Sequence, residues 1–215
     1  LYGLVQSAAD AIKLIFKEEV VPTGAQKFFY HVAPIFALFP AILIAMAIPY
    51  GNDVSFTLYD ETYTVPLSVI SVDPGFLFIF AISSIGVYAV TIAGWASNNK
   101  YSLLGSLRAS ASMVSYEIPL GLSLIPIVLI YGTLDLNEIV LQQSAMPWKW
   151  GIVWAPFSFI LFLICMFAET NRAPFDLAEA ESELVAGFHT EFTSTKFALV
   201  FLSEYVAMFI LSLLC

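Results

Sequence analysis

Residues 168–205 read AETNRAPFDLAEAESELVAGFHTEFTSTKFALVFLSEY, and the stretch lies between two long apolar runs. Six glutamates fall within it: Glu169, Glu179, Glu181, Glu183, Glu191 and Glu204. Glu117 stands inside a further apolar run, SMVSYEIPLG. A carboxylate in hydrocarbon costs about 2.5–3.5 kcal/mol on insertion scales, so acids at membrane depth face protein or water and carry function. The pattern is that of a membrane protein that handles protons.

Composition agrees. Apolar residues make up 60% of the chain and charged residues 12%, far from the soluble balance. The net charge of −9 comes from local acidic clusters, and it excludes the basic face that nucleic acid requires. Leu1 in place of Met, and an end at Cys215 inside an apolar run, lead us to expect a piece of a longer membrane chain. Residues 1–19 lack the basic start, apolar core and small-residue cleavage pattern of a signal peptide. Cys165 and Cys215 lie in apolar runs, which gives neither a disulfide framework nor metal-ligand spacing.

The fold class expected is an all-α integral membrane protein, a single domain over residues 1–215. Leu1, Leu4, Val5, Ala8, Ile12, Ile15 and Phe16 recur at helical spacing opposite Gln6, Asp10, Lys13 and Lys17. Residues 1–19 therefore predict an amphipathic helix at the membrane interface. Five runs follow, 28–50, 75–96, 103–131, 152–169 and 197–215, each taken as a span of the roughly 30 Å hydrocarbon core. Pro34, Pro40, Pro119 and Pro126 lie inside them, as membrane helices tolerate. The alternation in residues 54–72, VSFTLYDETYTVPLSVISV, predicts a small β-hairpin turning near Asp60 and Glu61.

Lys13, Lys17, Lys27, Lys100, Arg108, Arg172 and Lys196 cluster at one set of run ends, while Lys149 alone marks the other. The positive-inside rule then places residues 1–27, 97–101 and the acidic loop 170–196 on the inner side, with the hairpin outside.

On a helix Glu179 and Glu183 share a face, while Glu181 points elsewhere. A solvated loop is the plain reading of such a run. Flanking apolar residues, Pro174–Phe175 and 184–188, and a lone nearby cation, Arg172, favour instead a buried set that shares protons. Arg108 lies among Gly105, Ser106, Ala109 and Ser110, small residues that permit close helix packing. It reads as one partner of a structural ion pair, or as a side chain reaching the interface. Glu117 reads as a relay position or as a member of such a pair. His31 and His189 are too isolated for a metal site, and no nucleotide loop, haem motif or iron–sulfur cysteine pattern is present.

Two stretches, GWASNNKYSLLGSLRASASMVSYEIPLGL (94–122) and AETNRAPFDLAEAESELVAGFHTEF (168–192), closely resemble the H-type membrane subunit of respiratory complex I, NADH:quinone oxidoreductase. LVQSAADAIKLIFKEEVVP (4–22) is similar to the amphipathic helix that follows that family's first span. The resemblance implies a subunit that is not catalytic alone, with quinone as substrate and no cofactor in this chain. FMN and iron–sulfur clusters would belong to hydrophilic partner subunits on the inner side, with antiporter-like and small membrane subunits alongside. It assigns proton coupling to Glu117, Glu169, Glu179, Glu181, Glu183, Glu191 and Glu204. Arg172, Asp176 and Phe188 would contact quinone, and Lys13 and Phe16 would line its entrance. Phe192 stands where many relatives carry Tyr. The corresponding subunit of an energy-converting hydrogenase or a ferredoxin-dependent quinone reductase is the alternative, and an ion-coupled carrier a more distant one. The hairpin region favours a bacterial cytoplasmic membrane over the mitochondrial inner membrane.

Overall fold

The computed structural model describes residues 6–51, 54–58, 61–65, 67, 69–70, 74–144, 146–175 and 185–215. The expected amphipathic segment forms α1, Gln6–Phe16. Among the described residues, four helices are long and apolar enough to cross a membrane: α2 (Lys27–Ala47), α3 (Gly75–Ala96), α4 (Lys100–Tyr131) and, last in the chain, Ser194–Leu214. Between α2 and α3, β1 (Val54–Leu58) pairs antiparallel with β2 (Glu61–Val65), Val54 opposite Val65 and Leu58 opposite Glu61. The chain is thus an all-α membrane protein carrying one small hairpin.

One expected span is not continuous. The run 152–169 divides into α6, Gly151–Trp154, and α7, Pro156–Glu169. Pro156 lacks the N–H that a continuing helix would use and pushes Ala155 out of helical geometry (φ −133°, ψ 60°). The 14 residues of α7 reach about 21 Å at 1.5 Å per residue, short of a full crossing. The preceding connection is also more ordered than its sequence suggests. It holds α5, Leu136–Ser144, and a 3₁₀ turn, Pro147–Lys149. The final helix, Ser194–Leu214, is α8.

Helix α2 packs on α3 and α8, and α4 packs on α3 and α7. Toward the hairpin end, Ile44, Phe76, Ile79, Leu120, Phe162 and Ile210 fill one core cluster. Toward the other end Tyr30, Ala93, Ala109, Phe188, Phe192 and Val200 form a second. The small members of the second cluster let α3 and α4 approach closely. Large apolar residues such as Leu129 (76% exposed) and Phe157 (83%) face outward instead, as the hydrocarbon-facing side of a bundle requires.

Asn99 starts α4 by accepting from the Tyr101 N–H at 3.0 Å. Gly132 ends it in the left-handed region at φ 71°, a conformation glycine adopts without a Cβ clash. Thr91 and Ser110 are joined at 2.8 Å across the α3–α4 seam. A Cβ at Gly94 would come within 2.1 Å of Ser106 Oγ and 2.7 Å of the Ser102 carbonyl oxygen. Gly94→Ala is therefore expected to force α3 from α4 and cost about 1–3 kcal/mol. The check is a lowered thermal midpoint in the purified full-length assembly, with Gly121→Ala, which has nothing within 4 Å, as the unchanged control.

Candidate functional site

Glu117 lies midway along α4, and both neighbouring serines of α3 reach it. Ser84 Oγ donates to its Oε1 at 2.5 Å and Ser83 Oγ at 3.2 Å. Both hydroxyls also lie within hydrogen-bond reach of the Phe80 carbonyl, as serines do on a helix when they bond back to the preceding turn.

Ser83 also lines a cavity of ≈ 130 Å³, whose wall includes Pro40, Glu169, Asn171, Phe188 and Glu204. Glu169 is the last residue of α7, and Glu204 is on α8. Two acids therefore border the cavity directly, and a third is one hydroxyl away. Glu169 Oε2, Asn171 Oδ1 and Arg172 Nη2 are buried, and no hydrogen bond reaches any of them among the described residues. Asn171 adopts φ 48° where the chain leaves α7. Thr170 Oγ donates back to the Met166 carbonyl at 3.0 Å, securing the last turn.

Arg172 is steered by an aromatic ladder on α8. Its guanidinium lies 5.0 Å from the Tyr205 ring centroid. Tyr205 meets Phe201 at 5.0 Å, Phe201 stacks on Phe197 at 5.6 Å, and Phe197 meets His189 at 5.6 Å. The last contact brings the ladder back to the 3₁₀ turn Gly187–His189.

That turn is seated on α4. Ser102 Oγ donates to the Phe188 carbonyl at 3.0 Å, and a Cβ at Gly105 would lie 2.7 Å from Gly187 Cα. Glycine at both positions permits this backbone approach. Glu191 follows, its carboxylate accepting from the Asn99 side-chain amide at 2.6 Å and its carbonyl accepting from Tyr30 at 2.6 Å. One Asn side chain thus caps α4 and holds an acid.

The structure therefore brings Glu117, Glu169, Glu204, Phe188 and Arg172 into one region and holds Glu191 at the start of α4. Lys13 and Phe16 are exposed on α1 and do not line the cavity. Arg108 is exposed on α4. Asp176, Glu179, Glu181 and Glu183 lie outside the described residues. Among the described residues, no group of three or more His, Cys, Asp and Glu gathers as a metal site.

A family model described as NADH dehydrogenase matches residues 1–215. The chain belongs to that family. It is 47% identical over 210 residues to the H-type subunit of NADH-quinone oxidoreductase from Flavobacterium psychrophilum, covering 98% of this chain and 60% of that protein. The first of the H-type subunits of Geobacter metallireducens is 48% identical over 98% of this chain and 62% of its own length. That of Protochlamydia amoebophila is 50% identical over 95% of this chain and 61% of its own length. The chain thus spans about 60% of the length of these curated relatives. The resemblance read from residues 94–122 and 168–192 is borne out.

Several residues of the site escape a reading of the sequence alone. Ser83 and Ser84 are detectable as adjacent hydroxyls in the apolar run FAISSIG, but their target depends on how α3 meets α4. Asn99 looks like a turn residue, and Tyr30 like core.

His189 offers a pH test outside the spans. Burial lowers its pKa from 6.5 to about 4, so the folded chain keeps the ring neutral where the unfolded chain protonates it. Stability is full above about pH 6.5 and falls as pH drops toward 4, by about 2 kcal/mol at pH 5. His189→Phe, which keeps the ring contacts to Phe188 and Phe197, is expected to flatten this part of the stability–pH curve.

Proposed function

We propose that this chain acts as part of a membrane subunit of a proton-translocating NADH:quinone oxidoreductase, coupling quinone reduction to proton movement. The observation that carries the reading is the shared cavity. Glu169 and Glu204 border it, and Ser83 links its wall to Glu117. Carboxylates and hydroxyls in this order make a route along which a proton can be handed. Three buried polar atoms at the end of α7 lack protein partners among the described residues, and water ordered at that end of an otherwise largely apolar cavity would satisfy them.

In this reading the α7–α8 connection and the Asn99 end of α4 face the inner side, where hydrophilic partner subunits carry FMN and iron–sulfur clusters. The antiporter-like and small membrane subunits lie alongside in the bilayer, which is a bacterial cytoplasmic membrane. Quinone contacts Arg172, Phe188 and Asp176, with Lys13 and Phe16 nearer its entrance. Reduction of quinone adds negative charge and a demand for two protons. Arg172, oriented by Tyr205, faces that charge, and Glu169 is three residues away on the same turn of chain. Each carboxylate exchanges a proton with its neighbour as the local field changes, so the disturbance reaches Glu204 and Glu117. Glu179, Glu181, Glu183 and Glu191 belong to the same proton-coupling set. No redox centre is needed in the chain for this role.

The test replaces Glu169 with Gln in the full-length chain within its assembled complex. NADH oxidation by quinone is expected to fall more than about tenfold, the effect of losing roughly 1.4 kcal/mol or more of barrier lowering. NADH oxidation by an artificial acceptor that bypasses quinone should persist. Two unchanged rates would remove Glu169 from the coupling route.

A further inference from the structure

Lys196 opens the first turn of α8, yet it is only 6% exposed. A buried ammonium needs an answering charge and hydrogen bonds. Its Nζ bonds the Glu19 carboxylate and sits 4.5 Å above the Tyr30 ring. Tyr30 is itself fully buried, stacks on Phe192 at 4.7 Å, and donates to the Glu191 carbonyl. His31 of α2 lies 3.7 Å from the same Glu19 carboxylate.

Neutral hydrogen bonds run beside this pair. The Val20 N–H donates to Thr193 Oγ at 3.1 Å, and Ser194 Oγ donates to the Lys17 carbonyl at 2.6 Å. Ser194 holds φ 59°, a conformation disfavoured for a residue with a side chain, and its hydroxyl bond to Lys17 helps to hold it there. The chain just after α1 is thus fastened to the chain that leads into α8. Helix α1 buries little of its own surface: Ile12, Ile15 and Phe16 are 57%, 60% and 83% exposed. Within this chain its placement therefore rests on this fastening more than on packing, and the charged bond is the strongest strand of it.

We infer that Lys196 is a positioning residue for quinone access, holding α1 against α8 through Glu19. The inference rests on the proposed function, in which α1 borders the quinone entrance. It joins α1 to the same short segment that carries Phe188, a wall of the cavity, and Glu191. An entrance helix and the acid-bearing turn then share one anchor.

The test uses the full-length chain in its purified, assembled complex. Lys196→Met keeps an unbranched apolar stem and removes the charge, Glu19→Gln keeps the shape of the partner, and Lys196→Arg keeps the charge. Backbone hydrogen exchange over residues 6–20 and the KM and kcat for a short-tailed quinone are measured together. Lys196→Met and Glu19→Gln are each expected to speed exchange about tenfold, a buried pair broken but discounted for the part-exposed Glu19. Both should raise KM several-fold with kcat retained, while Lys196→Arg stays near the wild type. Unchanged exchange overturns the inference, and so does faster exchange with an unchanged KM. Should Lys196→Met fail to assemble, Glu19→Gln decides by the same two readouts. A wild-type complex unable to reduce quinone would instead overturn the functional reading, and the exchange data would still judge the anchor.

Discussion

A carboxylate placed halfway along an apolar helix must be answered from a neighbouring helix, and the hydroxyls of Ser83 and Ser84 answer Glu117. Much of the bundle's geometry is consistent with this one demand. The serine donors require α3 to lie close against α4, and Gly94, Ser102, Ser106 and Ala109 remove the bulk that would hold the two apart. Thr91 and Ser110 close the same seam further along. Within hydrocarbon, such hydrogen bonds face no competing water, so a helix pair joined this way keeps its register.

Because α3 and α4 are locked, the other acids are presented by what packs around them. Helix α7 ends at Glu169 beside the cavity, α8 brings Glu204 to it, and Phe188 closes part of its wall. The turn that carries Phe188 is itself seated on α4 through Ser102 and the Gly105–Gly187 approach. A polar centre built on long helices is more precise than one built on loops alone. The cost is a set of buried polar atoms at the end of α7 that the described protein atoms do not satisfy.

Hydropathy makes the long spans legible, because a run of some 20 apolar residues has few other uses. The amphipathic spacing of Ile12, Ile15 and Phe16 and the alternation from Val54 to Val65 are equally plain, and α1 and the hairpin both form. The break at Ala155 is hidden because hydropathy averages across the Ala155–Pro156 step, where a single absent N–H decides the outcome. Helix α5 is hidden because it is short and mixed in polarity; its start is set by Asp135, whose carboxylate accepts from the Asn137 N–H at 3.1 Å. The acids of the site can be identified by their placement in apolar surroundings. Their partners cannot. Ser83, Asn99 and Tyr30 acquire their roles only through helix register, and Lys196 is one more loop charge until the fold buries it.

In the proposed coupling, Glu169, Glu204 and Glu117 respond together to the reduction of quinone. The most direct measurement is the reduced-minus-oxidised infrared difference spectrum of the assembled complex in the protonated-carboxyl region, recorded in water and in deuterium oxide. This shared response requires deuterium-sensitive carboxyl bands in the wild type, with intensity lost in Glu169→Gln and in Glu117→Gln. Spectra from both variants that overlay the wild type, with quinone reduction intact, would contradict it.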